Sequence, residues 1–360
     1  MGQRRGFACQ PPHKQRPESA RARQGWVYHN AHSHRVHLEQ TISSLKEQNR
    51  DSLPAGTVID CYSIIKLIGS GGFSLIYLAE DEDTLDHVVI KEYLPKKLAL
   101  RDRSGKVQVS SEKQADAFHN GRKLFYQEAK ALATLRHPNI VNVRTFFLDN
   151  NTAYLVMDYE HGKNLGSYVK KRGGGLSTTF LLTVFPQVLD ALNLIHSEGQ
   201  LHLDIKPSNI HLRPGGNPLL LDFGAVHQFA TTRSRQSSQV VTPGFAPVEQ
   251  YYSSGYVGPW SDVYAIGATM RSCIEGKPPP SAIERHAKDS MKPIASLYRK
   301  QYPAYLLDVI DWAMEVDPLL RPQNAGIMLE ALNSERGRPT GEPDSASEPH
   351  DYLHTERTPE

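Results

Sequence analysis

The stretch "HLDIKPSN" (His202 to Asn209) sets a carboxylate, Asp204, an ammonium, Lys206, and an amide, Asn209, within a few positions of one another. Soon after it, "LLLDFG" (Leu219 to Gly224) ends an apolar run on a second acid, Asp222. A single Asp beside a Lys is usually a solvated surface pair. Two such clusters, each set against an apolar run, could divide the work of moving a phosphoryl group. A carboxylate such as Asp204 can orient an attacking hydroxyl and accept its proton. An ammonium such as Lys206 can balance the charge on the group in flight. The amide oxygen of Asn209 and the carboxylate of Asp222 are hard oxygen donors of the kind Mg²⁺ takes. Pro207 stiffens the loop that spaces them.

Three features upstream fit the same chemistry, each with a plainer reading beside it. "GSGGFS" (Gly69 to Ser74) is a glycine loop between two strand-like runs, where backbone N–H groups could approach phosphate oxygens unobstructed. Glycine-rich hairpins are also common without ligands. No GK[ST] follows it, and it does not open a helix, so neither a P-loop nor a dinucleotide fingerprint is indicated. Lys91 ends the β-branched run "VVIK" and could cap an edge strand in water or project its cation inward. Glu128 falls on the apolar side of a helical pattern, where a carboxylate needs a partner. Lys91 is the natural one, although pairing along the helix with Arg122 or Lys123 is an alternative.

The elements that must position these groups follow from hydrophobic periodicity. "YSIIKLIGSGGFSLIYLAEDE" and "HVVIKEYL" read as three strands joined by turns. "KLFYQEAKALATLRHPN" reads as a helix with Leu124, Phe125, Glu128, Ala131, Leu132 and Leu135 on one side, ended at His137-Pro138. Two more strands fit "NIVNVRTFF" and "TAYLVMDYE", turning at "LDNN". Beyond Gly162 the pattern becomes helical, over 178–197, 261–275, 303–315 and 322–333. The order predicts an α+β fold of two lobes, an antiparallel sheet with one helix and then a mainly helical part.

Composition bounds the rest. The chain has 360 residues and a formal charge of +2, which argues against a general polyanion or nucleic-acid binder. Cys9, Cys61 and Cys273 are far apart and form no CxxC, so neither a disulfide framework nor a zinc site is indicated, consistent with a reducing, cytoplasmic setting. "FLLTVFPQVLDALNLI" (Phe180 to Ile195), the longest apolar candidate, is interrupted by polar residues and reads as a buried helix rather than a membrane span. The opening "MGQRRGFACQ" lacks the apolar core of a secretory signal, and no Ser or Thr stands where myristoylation would want one. Residues 1–56 are rich in Arg, Gln, His and Pro and read as a disordered tail. It has some character of a transit peptide, or of a stretch upstream of the true start. Within it, His29, His32, His34 and His37 suggest metal binding but lack an acidic or Cys ligand. Leu38, Ile42 and Leu45 suggest a short helix. Residues 334–360 read as a second disordered tail.

Taken in order, "GSGGFS", "VVIK", Glu128, "HLDIKPSN", "LDFG", "FAPVE", "SDVYAIG" and "LLRP" resemble the protein kinase superfamily, and "DIKPSN" its Ser/Thr class. "IKEYLP", "TPGFAPVEQY" and "GPWSDVYAIGAT" look most like bacterial kinases of this type. The resemblance covers about 57–333, with lobes over 57–160 and 161–333. It implies ATP and Mg²⁺ as cofactors, Ser/Thr-bearing proteins as substrates and a cognate protein phosphatase as a partner. It further implies that Gly69, Ser70, Gly71, Gly72 and Ile76 cover the nucleotide, while Lys91, held by Glu128, contacts its α- and β-phosphates. Met157 would stand beside the adenine, with Asp158 to Glu160 as the hinge. Asp204 would be the base, Lys206 the γ-phosphoryl's counter-charge, and Asn209 and Asp222 the metal ligands. Glu249 should pair with Arg321, Asp262 should anchor the catalytic loop, and Leu132, Val143, His202 and Phe223 should form an apolar spine.

The chain departs from that pattern in four places. Leu203 stands where an Arg usually precedes the catalytic Asp and commonly binds an activation-loop phosphate. The expectation is therefore an enzyme that needs no such phosphate, although Thr231, Thr232, Ser234, Ser237, Ser238 and Thr242 offer hydroxyls for autophosphorylation. Ser74 replaces a loop glycine, and Val89 replaces the usual Ala. The 91–128 interval is long, and "LALRDRSGKVQVSSEKQADAFHN" is expected to be a solvent-exposed, hairpin-like excursion with an extra helical start. Other functions remain open. A partner-binding scaffold without chemistry would be signalled by loss of Lys91, Asp204 or Asp222. A small-molecule kinase would usually lack the segment represented by "FAPVEQY".

Overall fold

Alternation of β-branched and aromatic residues puts one side of each early run inward, and the chain pairs these runs into a sheet. The computed structural model describes residues 51–221, 227–228, 241–252 and 255–334. The histidine cluster, the short helix around Leu38 to Leu45 and the tail beyond Ser334 lie outside them.

Strands β1 (Val58–Ile59), β2 (Tyr62–Ser70), β3 (Ser74–Asp81) and β4 (His87–Tyr93) run antiparallel in sequence order. Next come β5 (Ala99–Arg101) and β6 (Val107–Val109), which pair with each other as a hairpin, and helix α1 (Ala115–Leu132). Strands β7 (Val143–Asp149) and β8 (Thr152–Asp158) complete a sheet of order β1-β2-β3-β4-β8-β7. Asn150 and Asn151 join β7 to β8 with φ of 48° and 61°. Two left-handed residues are what a two-residue hairpin requires, and Asn tolerates that conformation. Order begins before Thr57, since Leu53 is already buried and its amide donates to the Tyr77 hydroxyl at 3.2 Å.

Helix α1 begins at Ala115, within the stretch expected to give an extra helical start, but its inward face is not the one the sequence pattern suggested. Phe118, Phe125, Ala129 and Leu132 are its buried residues, whereas Leu124 is 55% exposed. The phase is set by Tyr93 at the end of β4, whose ring lies 5.4 Å from that of Phe118 and 5.8 Å from that of Phe125.

The second half opens with β9 (Lys163–Asn164) and α2 (Leu165–Arg172), where Asn164 caps the helix by accepting from Ser167 N–H. Helix α3 (Thr178–Ser197) is capped in the same way by Ser177. Then come β10 (Gln200–Leu201), β11 (Ile210–Leu212), β12 (Pro218–Leu220) and β13 (His227–Gln228). β11 pairs with both β12 and β9, and β10 pairs with β13. Helices α4 (Pro259–Glu275), α5 (Ala282–Ala287), α6 (Ile294–Tyr298), α7 (Ala304–Ala313) and α8 (Ala325–Ser334) complete the described residues. Three of these, α2, α5 and α6, were not foreseen, being too short to show a period. From Ser261 to Ile274, α4 is buried all round, the mark of a core helix. Among the described helices only α3 is long and apolar enough to cross a membrane by length and composition; half of its most apolar window is buried, and α3 packs on α8 and β12.

Gly121 sits where α1 meets Tyr93: a Cβ there would lie 2.1 Å from the tyrosine oxygen and 3.0 Å from its ring carbon. A Gly→Ala change inside a helix normally stabilises by about 1 kcal/mol. Overpacking against a buried ring costs about 1–3 kcal/mol and should prevail. Gly121→Ala is thus expected to lower the melting temperature, read by calorimetry; an increase would mean that α1 is not pressed on Tyr93.

Candidate active site

The loop between β10 and β11 is built around one buried carboxylate. Asp262, fully buried on α4, accepts hydrogen bonds from the backbone N–H of His202 (2.9 Å) and of Leu203 (2.7 Å). His196, at the end of α3, lies 3.0 Å from the same carboxylate through Nε2. Burial alone would raise the Asp262 pKa, but the hydrogen bond and charge of His196, followed by His202, outweigh it and hold it below the ordinary 3.8. The anchor foreseen for Asp262 is therefore in place.

Those two N–H bonds fix a conformation that a side chain resists. Leu203 has φ 59°, in the left-handed region. Its carbonyl accepts from Gln250 Nε2 at 2.8 Å, and its side chain is buried in a small cluster with Leu201 and Val257. Sequence reasoning missed Gln250 and Val257, since nothing in their spacing marks them. His202 accepts from Asp204 N–H at Nδ1 (3.3 Å), so Nε2 carries the proton and donates to Leu221 O (3.2 Å).

Asp204, Lys206 and Asn209 are brought together as expected. The Lys206 ammonium lies 2.9 and 2.8 Å from the two Asp204 oxygens. Asn209 Nδ2 donates to Asp204 O (2.8 Å) and Oδ2 (3.0 Å). That orientation turns Oδ1 of Asn209 away from the acid, where it accepts from Ser208 Oγ at 3.3 Å. An amide whose nitrogen holds the acid and whose oxygen points elsewhere suits a cation ligand. The chain just before Asp222 is tied to this loop twice, because Leu221 N–H donates to Asn209 O (2.8 Å) and Leu221 O accepts from His202. Asp222, Phe223 and the hydroxyls at 231, 232, 234, 237 and 238 lie outside the described residues.

Thr242, one of the hydroxyls expected to be open to autophosphorylation, is placed where nothing in the sequence pointed. Its Oγ1 is 2.9 Å from both Asp204 Oδ1 and Lys206 Nζ, so it joins the Asp204–Lys206–Asn209 cluster. Its distance in sequence hid the connection. The segment carrying it is held by the Glu249–Arg321 pair, bidentate at 2.7 and 3.2 Å, with Ser261 Oγ donating to Glu249 at 2.7 Å. The Arg321 guanidinium also lies 4.8 Å from the ring centre of Tyr264.

In the sheet, β2 changes register on β3 twice, between Ile64 and Lys66 and between Leu67 and Gly69, and such bulges bend a strand. The bent end delivers Gly69 opposite Ile76 and Ser70 opposite Leu75, with Gly71 N–H closing the turn on Ser74 O at 2.9 Å. A Cβ on Gly72 would meet nothing, while one on Gly69 would press Ile76 at 3.3 Å. Ser70 Oγ is buried and has no hydrogen-bond partner among the described residues. An open glycine turn with an orphaned hydroxyl fits a phosphate-bearing ligand. Lys91 pairs with Ile76 on one side and Leu155 on the other, so the three share a face. It is 8% exposed, and its ammonium stands 5.8 Å from the Phe125 ring centre. Phe125 lies three residues before Glu128, so Lys91 points at the side of α1 that carries this half-buried acid. Met157 is buried opposite Val89 and Val143. The side chain of Asp158 is occupied by Arg144 (2.5 Å) and Asn142 (2.8 Å), and its backbone N–H donates to Asn142 O (3.1 Å). Glu160 reaches Arg213 at 3.6 Å. Leu132, Val143 and His202 are all buried, as a spine requires.

Comparison with known proteins gives a concordant picture. The sequence profile described as "Protein kinase domain" matches residues 62–334. Serine/threonine-protein kinase D of Synechocystis sp. is 33% identical over 289 residues, covering 77% of this chain and 52% of that protein. Serine/threonine-protein kinase PknA of Nostoc sp. is 31% identical over 283 residues, covering 75% and 46%. This chain thus spans about half the length of these curated relatives. The solved structure titled "PpkA-294 apo form" superposes with a TM-score of 0.71 at 35% identity, covering 78% of this chain and 99% of that one.

A depressed carboxyl pKa adds stability above its unfolded value and loses it as pH falls through the folded one. Denaturant stability should therefore fall as pH drops below about 4, and Asp262→Asn should flatten that limb in titrations from pH 5 to 2. An unchanged slope would show that Asp262 does not stabilise the loop through its charge.

Proposed function

This chain belongs to the protein kinase family, and from that premise we propose that it is a protein serine/threonine kinase using MgATP. The observation that carries the reading is the Asp204–Lys206–Asn209–Thr242 cluster on one loop and one adjoining segment. ATP would supply the γ-phosphoryl group, with Mg²⁺ neutralising its charge.

The chain's own residues divide the remaining work. Backbone N–H groups of Gly69 to Gly72 would lie over the phosphates, and Lys91, on the face beside Glu128, would hold the α- and β-phosphates. Asn209 Oδ1 and Asp222 would take the cation. The adenine would sit beside Met157 and the backbone of Asp158 to Glu160. Asp204 orients the substrate hydroxyl and accepts its proton; to do so it must exchange one of its present donors, Lys206 or Thr242, for that hydroxyl. Lys206 is within reach to follow the charge from Asp204 to the transferred group. Thr242, bonded to both, keeps them in register while the substrate segment docks nearby.

Retention of Lys91, Asp204 and Asn209 in this arrangement supports chemistry over a silent scaffold. The segment Phe245 to Gln250, packed on α4 through Glu249 and Arg321, supports a protein substrate rather than a small molecule. Leu203, sealed among Leu201 and Val257, offers an activation-loop phosphate no cation at its position.

Incubation with labelled MgATP and a generic basic protein should yield phosphoserine or phosphothreonine. Asp204→Asn should lower the rate by at least about 100-fold, and phosphotyrosine, or equal labelling by the variant, would refute the assignment. Replacing Thr231, Thr232, Ser234, Ser237 and Ser238 by Ala should leave turnover within about tenfold of the parent; a loss beyond about 100-fold would show that a loop phosphate is needed after all.

A further inference from the structure

The hairpin β5–β6 was expected to be an exposed excursion; Leu100 on it is 50% exposed, but its other face is turned inward. Ala99 and Val107 are buried, and the Arg101 side chain is 5% exposed. Arg101 Nη2 meets Glu92 Oε2 at 2.5 Å, while Nη1 donates to Gly105 O at 2.7 Å. Glu92 has no exposed surface at all and also accepts from the hydroxyls of Tyr77 (2.9 Å) and Tyr154 (2.8 Å). Burial, reinforced by Glu92, pushes both tyrosine hydroxyls well above their ordinary pKa, so they remain donors. Burial opposes the charge of Arg101, yet Glu92 beside it raises its pKa above the usual arginine value.

Glu92 follows Lys91 directly in β4, and successive strand residues face opposite sides of the sheet. One side of β4 therefore presents Lys91 to α1, and the other presents Glu92 to the hairpin. The hairpin has further hold on the same region. Val107 N–H donates to Asn150 O (2.8 Å), and Asn151 Nδ2 donates to Val107 O (3.3 Å). Arg122, on α1, donates to Asn151 O (2.8 Å), and Gln114, just ahead of α1, donates to Lys97 O (2.9 Å). Hairpin, β7–β8 turn and the first turns of α1 are thus linked by hydrogen bonds around the strand that carries Lys91.

We infer that the β5–β6 hairpin is a built-in clamp that positions Lys91 and α1 for nucleotide binding, with Arg101 as its positioning residue. The inference rests on the nucleotide reading given above. Removing Arg101 leaves a carboxylate with no solvent and no counter-charge, which costs far more than a surface pair. β4 must then shift, or admit water, at the residue next to Lys91. Removing both charges together leaves no such demand.

The experiment compares the parent chain with Arg101→Met, Arg101→Lys and the double variant Glu92→Gln/Arg101→Met. It measures MgATP affinity by titration calorimetry, KM for the protein substrate, and hydrogen exchange of residues 87–93 and 115–132. Arg101→Met should weaken MgATP binding roughly tenfold and speed exchange in both segments, with KM for the protein substrate unchanged. Arg101→Lys and the double variant should recover most of the affinity. Should Arg101→Met fail to fold, Arg101→Lys and the double variant carry the comparison, and failure of both to recover affinity would overturn the clamp. Unchanged affinity and exchange in a folded Arg101→Met would overturn it as well. A parent that binds no MgATP would instead refute the nucleotide reading, and the exchange data would still decide whether the hairpin holds β4 and α1.

Discussion

The catalytic loop depends on one carboxylate with no access to solvent. Asp262 receives two consecutive backbone N–H groups and a histidine, and so can remain ionised where burial alone would neutralise it. The consequence lies one residue further on. Leu203 is held left-handed, and this turn of the backbone sends Asp204 toward Lys206, Asn209 and Thr242 rather than into the core. Without the two bonds, the strained residue would relax toward an ordinary conformation, and Asp204 would move away from Lys206 and Asn209. The acid proposed to perform the chemistry is thus aimed by a second acid, one buried on α4.

The sheet repeats this logic with a different donor set. Glu92 is as deeply buried as Asp262, and its charge is met by two tyrosine hydroxyls and an arginine instead of backbone amides. A buried carboxylate adds little to net stability compared with an apolar packing of the same volume. What it adds is a unique geometry, since only one arrangement satisfies every oxygen. Each carboxylate is tied directly to a residue that must be accurately placed or to its neighbour: Glu92 is next to Lys91 in the chain, and Asp262 is bonded to Leu203, the residue before Asp204. The Glu249–Arg321 pair does the same for the segment bearing Thr242.

Much of this was legible in the chain. Long periodic stretches announced themselves, and α3 was located to its end residues because Ser177 caps it and its apolar pattern spans the whole length. The cluster Asp204 to Asn209 could be picked out because its residue types are improbable together, and the structure brings those side chains into contact. Legibility failed where meaning depends on a partner far along the chain. Arg101 read as a surface charge because nothing local says that Glu92 will be opposite it. Thr242 read as one hydroxyl among several because its partners lie 36 and 38 residues away. Leu124 was assigned inward because the helix phase is decided by Tyr93, outside the helix. The short helices α2, α5 and α6 have too few turns for a hydrophobic period to emerge from noise.

Leu203 shows how one substitution changes the physical means of ordering a loop. An arginine there would be a desolvated cation waiting for an anion, and the loop's order would then depend on whether a phosphate had been delivered. A leucine instead buries apolar surface against Leu201 and Val257, a contact present in every molecule and indifferent to modification. Gln250 completes the arrangement by bonding the Leu203 carbonyl, a neutral interaction that needs no counter-ion. The clamp inferred for Arg101 follows the same pattern: the charge that α1 and Lys91 rely on is supplied by the chain itself. Residues positioned by permanent internal contacts have little left for a covalent switch to adjust, so control of such a domain is more readily exerted through access of substrate than through assembly of the site.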